Sequence, residues 1–554
     1  MLIRCGLLLT WSEGCIWKGL ALLMWPLILF PCWLWRRSPY RLLHGCSAID
    51  FTETGIPMKH RFSPISNNKG PVLVTLMVAA ALSGCTVGPD FQKQKPDAPA
   101  DWTTWRSGDA ALHTVKGAGV MADSQWWKRY NDPVLDDLVN RALSASPDIK
   151  TAALRFSGAR AQYRIMASSQ TPDINATGKV TREQLSENSP STRALKEVLP
   201  QPDELIDLMS EPYNWYQAGL DFSWEIDLWG HVRRAVEASD ADLSAQGAML
   251  ELARLSIVGD VVNNYYALRG IQQQIVLAKE DVQAMNERLS LVRARTEGGE
   301  LDYTDVERQQ SQLSATRANL IDLQQQEGIA MNQLLLLLGE HPGALQQQLV
   351  YKPDTNQATL PPLSLGIPSE VALTRPDIRA AEAHLHAATA RIGVAQAELY
   401  PSITLGARIG FDSYSESNFA EWGSRTWSVG PSLNLPLFDR GRRKATVVLR
   451  ETDQQQAAVD FHKTVLKAWQ EIDDALSRYA AAQQKLVEQE QREKSAGEAQ
   501  SLIQARYDGG LTSFINVLDS QRSYIQARQS LAMSQRDVKT AWAAVNRAVG
   551  NYPR

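Results

Sequence analysis

Alternating apolar and polar residues predict four β-strands along the chain, each apolar on one face only. In the strand predicted at 215–227, every other residue is apolar: Tyr216, Ala218, Leu220, Phe222, Trp224 and Ile226. The same period of two occurs at 174–181, 402–412 and 426–437. A strand has this pattern when one side of its sheet faces an apolar environment and the other faces water.

Between these strands the sequence predicts helices much longer than a globular core requires. Residues 231–297 contain no proline and would form one helix of 67 residues, about 100 Å long. Shorter helices at 147–169 and 302–338 together nearly match that length, so we expect them to line the long helix end to end. In the second half, residues spaced by three and four predict a seam for a neighbouring helix: Val465, Trp469, Ile472, Leu476, Tyr479 and Leu486.

These elements occur twice because the sequence is internally duplicated. Matching positions are 229 residues apart before the strands and 211 apart after them, as in Pro147 and Pro376, Gly230 and Gly441, and Gly298 and Gly509. The first copy therefore carries 18 additional residues between its two strands. Because residues 182–214 contain four prolines among polar residues, we expect a long surface loop there.

Domain boundaries follow from the duplication and from composition. The linker between the two copies contains five prolines and is expected to form a collar around the middle of the helical shaft. We assign 1–57 to an over-extended start, 58–84 to a signal peptide, 85–125 to an N-terminal tether, 126–339 to the first repeat, 340–369 to the linker and 370–554 to the second repeat and C-terminus.

All five cysteines lie in the first 85 residues, so the body of the protein has no disulfide framework. A basic segment after Met58 precedes an apolar run at 71–82, which ends Leu82-Ser-Gly-Cys85. This pattern resembles a bacterial lipoprotein signal and implies a covalent diacylglycerol and N-acyl lipid on Cys85, with no other cofactor. Thr86 follows where an Asp would favour inner-membrane retention, so outer-membrane sorting is implied.

A signal peptide belongs at the start of a chain, so we expect Met58 to be the true start. The alternative is a membrane helix at 20–35. That run is shorter than the roughly 20 residues that a membrane helix requires, and Pro26 and Pro31 interrupt it.

Four strands are too few to close a barrel, and an open sheet edge is not tolerated in lipid. The smallest transmembrane barrels have about 8 strands, so the chain is expected to oligomerise. Two chains would supply 8 strands, whose interior is filled by side chains, whereas three would supply 12 and leave an open lumen. A homotrimer is therefore predicted.

Several motifs together resemble the TolC-like outer-membrane efflux channels, lipoprotein branch: Trp126-Trp127, Asp227-Leu-Trp-Gly230, Arg375-Pro-Asp377, Tyr400-Pro401, Pro436-Leu-Phe-Asp439 and Asn516-Val-Leu-Asp519. The resemblance implies a mainly α, mixed fold: a trimeric 12-stranded transmembrane β-barrel continued by a long periplasmic α-helical barrel. It implies a passive conduit for drugs or other small toxic compounds, with no enzymatic activity. It also implies docking onto a periplasmic adaptor and an inner-membrane, proton-driven transporter.

The same resemblance assigns roles to particular residues. Asp519 matches the aspartate of the periplasmic constriction, and Ile515 matches the apolar residue one turn before it. Asn516 shares their helix face, and it stands where many relatives have an acidic residue, so a weaker ring of charge is expected. The alternative is that Asp519 is an ordinary solvated side chain. The barrel-to-helix junctions are predicted at Trp229, Gly230, Arg440 and Gly441.

Other function classes fit less of the sequence. A lipid-anchored periplasmic coiled-coil scaffold would explain the helices but not the one-sided strands. The net charge of −4 gives no indication of a nucleic-acid partner. His384 and His386 lie two apart on a helix and point away from each other, so a solvated face is expected rather than a metal site. Trp and Tyr in the strands are expected to form interfacial belts rather than core, in contact with outer-membrane lipid. The sequence does not identify the exported compounds or the adaptor.

Overall fold

A computed structural model describes residues 86–113, 117–118, 124–198, 200, 202–351, 360 and 362–551. The expected start, the signal peptide and Cys85 lie outside these residues. Ten helices are described in order: α1 Pro133–Ala145, α2 Pro147–Ser168, α3 Pro190–Val198, α4 Asp203–Ser210, α5 His231–Glu297, α6 Tyr303–Leu338, α7 Pro368–Thr374, α8 Pro376–Ala397, α9 Arg442–Asp508 and α10 Phe514–Ala548.

The four predicted strands form one antiparallel sheet. They are β1 Asp173–Glu183, β2 Tyr213–Ile226, β3 Ser402–Ser413 and β4 Arg425–Asn434, paired in that order. Each repeat supplies one hairpin, and β2 joins β3 in a register that places Leu220 opposite Ile409. The duplicated sequence thus builds a continuous sheet rather than two separate ones.

The helices confirm the predicted shaft. Helix α5 spans the predicted 67 residues, and α9 has the same length. Helix α6 begins after Asp302, whose carboxylate accepts a hydrogen bond from the Thr304 backbone N–H, a standard N-cap. Helices α2 and α6 both pack along α5, while α8 packs between α5 and α9. This packing of short helices along a long helix is the arrangement predicted from the helix lengths.

The largest core cluster surrounds the middle of α5. Trp126, Trp127 and Trp542 are fully buried there and pack edge to face or tilted. At the start of α1, Asp132 caps the helix by accepting from the Val134 and Leu135 backbone N–H groups. From the linker, the carbonyl of Leu349 accepts a hydrogen bond of 2.8 Å from the Gln272 side chain. The linker therefore contacts α5 at mid-length.

The structure refines two sequence predictions. The long surface loop predicted at 182–214 contains two short helices, α3 and α4. Proline is compatible with the first turn of a helix, and Pro190 occupies that position in α3. The last strand ends at Asn434 rather than 437, shortly before Pro436, which has no N–H to donate to a sheet.

Candidate conduit, junctions and gate

The sheet has one apolar face because the registers of all four strands coincide. Ile174 lies opposite Phe222, Leu220 opposite Ile409, and Ile409 opposite Trp427. Most large side chains on this face are exposed in the single chain: Ile174, Val180, Leu220, Phe411, Ile409, Trp427, Val429 and Leu433. An apolar surface extending over four strands requires a covering that the described chain does not supply.

The opposite face is polar, and its side chains are joined across strands by hydrogen bonds and ion pairs. Asp221 accepts from the Thr177 hydroxyl at 2.6 Å and lies 3.4 Å from the Arg408 guanidinium. Arg408 is also 3.9 Å from Asp412, to which Gln217 donates at 3.5 Å. Charged groups held this way favour contact with water. The two faces therefore suit two different media.

Both edges of the sheet are open. Strand β1 pairs only with β2, and β4 pairs only with β3, within the residues that the structure describes. Each edge therefore presents unpaired backbone N–H and C=O groups.

The first sheet-to-helix junction is held by side chains and by the N-terminal segment, residues 86–113. Gly230, with φ of +83°, turns the chain from β2 into α5. The Trp229 indole donates to the Pro401 carbonyl at 2.8 Å and stacks on Tyr400. Asp227 accepts from the Arg233 backbone N–H at 2.8 Å. The Trp229 carbonyl accepts from the Val87 backbone N–H, so the N-terminal segment starts its course here.

The second junction also turns at a glycine with positive φ, but here the preceding residue, Arg440, has positive φ as well, unlike Trp229. Arg440 and Gly441 both have positive φ, +57° and +82°, between β4 and α9. Asp439 accepts from the backbone N–H groups of Gly441 and Arg443, at 3.0 and 3.2 Å. All four residues predicted for the junctions therefore lie between a strand and a long helix.

At the far end of the shaft, the two helical hairpins pack against each other. Gly299 and Gly510 close the two turns with positive φ. The Arg295 guanidinium lies over the Tyr507 ring, 5.4 Å from its centroid. A local core joins the hairpins: Met285, Leu289, Val292, Val306, Leu313, Phe514, Val517 and Leu518.

The three predicted gate residues lie on the exposed face of α10 near this end. Ile515, Asn516 and Asp519 are exposed, whereas Phe514, Val517 and Leu518 between them are buried. The Asn516 amide donates to the Thr512 hydroxyl at 2.8 Å. The sequence placed all three on one helix face, and the structure agrees.

Arg522 is a residue near the gate that the sequence analysis missed. Its guanidinium lies 3.9 Å from the Asp519 carboxylate and also donates to Gln312 on α6 at 2.6 Å. A cation at this spacing offsets part of the Asp519 charge. The spacing of three residues on a helix was the available signal.

Comparison with known proteins identifies the group to which this arrangement belongs. A model of the family described as outer membrane efflux protein matches residues 138–340 and 367–551, one match for each repeat. The chain belongs to the outer membrane efflux protein family.

The chain is similar in sequence to known proteins over most of their length. It is 30% identical over 482 residues to the probable efflux pump outer membrane protein TtgC of Pseudomonas putida, covering 86% of this chain and 95% of the relative. It is also 30% identical to the outer membrane protein OprJ of Pseudomonas aeruginosa, covering 81% and 89%. The solved outer-membrane channel OprN superposes with a TM-score of 0.75 at 30% identity, covering 84% and 99%.

Two buried features of the efflux protein escaped the sequence analysis. Arg234 bonds Asp90 at 2.5 Å and Glu237 at 2.8 Å, which fastens the N-terminal segment to α5. Farther along α5, Asp281 lies 3.5 Å from Arg528 on α10. Burial raises the pKa of Asp281 to about 6, although Arg528 partly opposes this shift. The Arg234–Asp90 and Asp281–Arg528 pairs could not be found from spacing, because each joins residues more than 140 positions apart, whereas Glu237 lies three residues after Arg234 on the same helix.

His386 is also placed differently from the prediction. It stacks on Phe91 with ring centroids 4.4 Å apart, and its Nε2 lies 2.9 Å from the Glu237 carboxylate. The expected solvated face is correct for His384, which is exposed, and wrong for His386. None of the helices in the described part of the chain is both long and apolar enough to cross a membrane.

Proposed function

We propose that three copies of this efflux protein form one channel through the outer membrane. Each copy contributes four strands to a 12-stranded transmembrane barrel and its long helices to a hollow cylinder in the periplasm. The observation that carries the proposal is the sheet: apolar on one face, polar on the other, and open at both edges. In lipid, open edges have to pair with another copy.

Exposed apolar side chains on the outermost helices support assembly through the shaft as well. Helix α2 exposes Leu154 and Ile165, and α9 exposes Val448, Val459 and Leu466. Helix α2 is the duplicate of α8, and α8 packs against α9 within the chain. A neighbouring copy would repeat that contact by placing its α2 against the free side of α9.

The family assigns the channel to efflux, and we propose that it conducts passively. Relatives are described as outer membrane proteins of efflux pumps, so a periplasmic adaptor and an inner-membrane, proton-driven transporter are the proposed partners. Drugs or other small toxic compounds would leave along the polar face of the barrel. The selection of compounds would rest with the transporter.

We further propose a resting gate at the periplasmic tip and a lipid anchor. Threefold symmetry would bring three Asp519 carboxylates around the axis, with Ile515 one turn away, and a ring of carboxylates favours cations. A diacylglycerol and an N-acyl chain on Cys85 would tether the mature N-terminus to the outer membrane. The barrel does not depend on this anchor, so Cys85→Ser should remove fatty acid while insertion continues.

Cross-linking and conductance test the channel proposal together. Cysteines would be placed on the two sheet edges, at Lys179 of β1 and at Ser428 of β4, which are polar-face positions. Oxidation of outer membranes should yield a covalent trimer only when both cysteines are present, with each single variant as control. The same purified protein should form pores in planar lipid bilayers. A monomer that conducts would contradict the trimer, and a trimer without conductance would contradict the channel.

A further inference from the structure

The end of the sheet nearest α9 carries an apolar stripe followed directly by cations. Leu433, Leu435 and Leu437 continue the apolar alternation of β4 toward the helix, and Phe438 follows them. Leu437 and Phe438 are 87% and 85% exposed. Arg440, Arg442 and Lys444 come next, and all three are exposed. We call residues 437–444 the α9 collar.

The cations of the α9 collar have no protein partner in the described part of the chain. Asp439 is occupied by Arg443, whose guanidinium lies 3.0 Å from it. No hydrogen bond or ion pair within the described residues reaches the side-chain nitrogens of Arg440, Arg442 or Lys444. Glu398 lines the same cavity as Arg442 without an ion pair between them. The collar therefore carries uncompensated positive charge.

The duplicated junction shows that this charge is not required by the turn. At the first junction, Arg233 pairs with Asp227, and Arg234 pairs with Asp90 and Glu237. Both cations there are neutralised within the chain. At the second junction Arg443 pairs with Asp439, whereas Arg440, Arg442 and Lys444 have no partner within the described residues and are available to a ligand from outside the chain.

Position along the sheet indicates what that partner is. The pairing of β3 with β4 ends just past Ile403 and Leu433, close in sequence to Tyr400, whose ring stacks on Trp229. Stacked aromatic residues at the end of an apolar band are typical of the interface between hydrocarbon and headgroups. Cations just beyond an apolar band meet the phosphates of anionic lipids, each contributing a favourable attraction.

Helix α2 of a second copy does not supply the missing negative charge. The copy proposed to lie beside α9 would present its α2, in which every charged residue after Asp148 is cationic: Lys150, Arg155, Arg160 and Arg164. Such a contact would add positive charge at the collar. An anion between the two copies would be stabilised by both.

We propose that the α9 collar binds anionic phospholipid headgroups in the periplasmic leaflet of the outer membrane. Leu437 and Phe438 enter the acyl region, while Arg440, Arg442 and Lys444 contact phosphates. Arg442 and Lys444 lie two apart on α9 and point to different sides, and Arg440 lies in the turn before the helix, so the three cations would meet more than one lipid per chain. This inference rests on the proposed membrane channel, because it needs the sheet to lie in the bilayer.

Lipid retention by the purified full-length protein tests the proposal. The protein is equilibrated with equal amounts of dioleoylphosphatidylglycerol and dioleoylphosphatidylcholine in detergent, and the retained lipids are counted by native mass spectrometry. The test variant is R440N/R442Q/K444Q, with Asn at 440 because it tolerates positive φ. The control, K485Q/R492Q/K494Q, removes the same charge from exposed positions far along the same helix.

We expect wild type and control to retain phosphatidylglycerol preferentially, and the collar variant to lose this preference on the order of tenfold. Inorganic phosphate at equal concentration should not displace the lipid, since it lacks the acyl chains that Leu437 and Phe438 contact. Equal preference in all three proteins, or displacement by phosphate, would overturn the lipid site.

Two further measurements separate the competing outcomes. An efficient disulfide between L437C and S168C of different copies would show that a second copy covers the collar, and it would overturn the proposal. Conductance in planar bilayers is recorded on the same preparations. Absent conductance contradicts the channel proposal itself, whereas conducting protein with equal lipid preference contradicts only the collar site.

Discussion

Gly230 and Gly441 occupy equivalent places in the two repeats, with φ of +83° and +82°. Around Gly230 the chain is fastened: Thr86 packs on the glycine, Trp229 stacks on Tyr400, and both following arginines are paired. Around Gly441 no atom lies within 4 Å of where a Cβ would be. The difference shows that duplication preserved the glycine with positive φ while its surroundings diverged.

The N-terminal segment causes much of this divergence, because only one copy of it exists for two junctions. It begins at the first junction and continues along the second repeat, where Arg106 bonds Asp473 at 2.5 Å and the Trp102 indole donates to the Gly366 carbonyl. The first junction therefore belongs to the packed interior of the subunit. The second remains available to lipid or to a neighbouring copy.

Removing the cation that fastens the first junction should have the largest effect on stability. In R234A, Glu237 loses a buried partner and the N-terminal segment loses its anchor, at a cost of about 2 to 3 kcal/mol. R442A removes an exposed, unpaired cation and should change stability by less than about 0.5 kcal/mol. Urea unfolding in detergent, followed by tryptophan fluorescence, measures both. Equal midpoints for the two variants would contradict the fastened junction.

Alanine substitutions at Gly230 and Gly441 give a better matched comparison of stability. Positive φ at an alanine destabilises both variants by the same amount, about 1 to 2 kcal/mol. G230A should cost about 1 kcal/mol more, since its Cβ would lie 3.0 Å from the Thr86 Cγ2. The same unfolding measurement applies. In the T86G background the difference should shrink, because Cγ2 and Cβ are removed while the Cα of residue 86, 3.3 Å away, remains. An undiminished difference would exclude the Thr86 side chain as its cause.

A buried carboxylate distinguishes the repeats farther along the shaft. At the position of Asp281, the second repeat has exposed Arg492. Because the pKa of Asp281 in the folded chain is raised to about 6, the folded state takes up a proton that the unfolded chain releases near its ordinary value of 3.8. Stability contributed by this site therefore falls as pH rises from about 4 to 6.

D281N should remove this pH dependence and stabilise the protein by about 1 to 2 kcal/mol at pH 7.5, after discounting for partial exposure. Stability measured at pH 4.5 and pH 7.5 gives the test, with E297Q, at an exposed carboxylate near the end of the same helix, as the control. An unchanged difference between the two pH values in D281N would assign the titration to another group.

The gate gives the smallest free-energy effect and the clearest contrast between repeats. Thr304, Asp305 and Arg308 occupy the positions in the first repeat that match Ile515, Asn516 and Asp519 in the second. Asp305 and Arg308 lie 3.5 Å apart, so in the first repeat the charges of these two side chains offset each other. I515A/D519A should raise resting conductance and reduce cation preference about twofold, whereas T304A/R308A should not. Identical reversal potentials in planar bilayers would remove these residues from the gate.

Much of this fold follows from local pattern. The period of two, the absence of proline from 231 to 297, and the paired glycines at 298 and 509 give the strands, the long helices and the turns within a few residues. Periodicity succeeds here because each element faces one environment along its whole length. It did not reveal α3 and α4 within the loop at 182–214, where Pro190 occupies the first position of a helix.

The sequence by itself determined the duplication, the one-sided sheet and the placement of Ile515, Asn516 and Asp519 on one face of α10. Only the tertiary structure showed that Arg234 is buried and paired while Arg440 and Arg442 are free, and that Asp281 lies against Arg528. The reason is that burial and pairing depend on elements distant in the sequence. Local spacing determines which residues share a face of a helix or strand. Whether those residues are buried, paired or exposed depends on which other elements pack against that face.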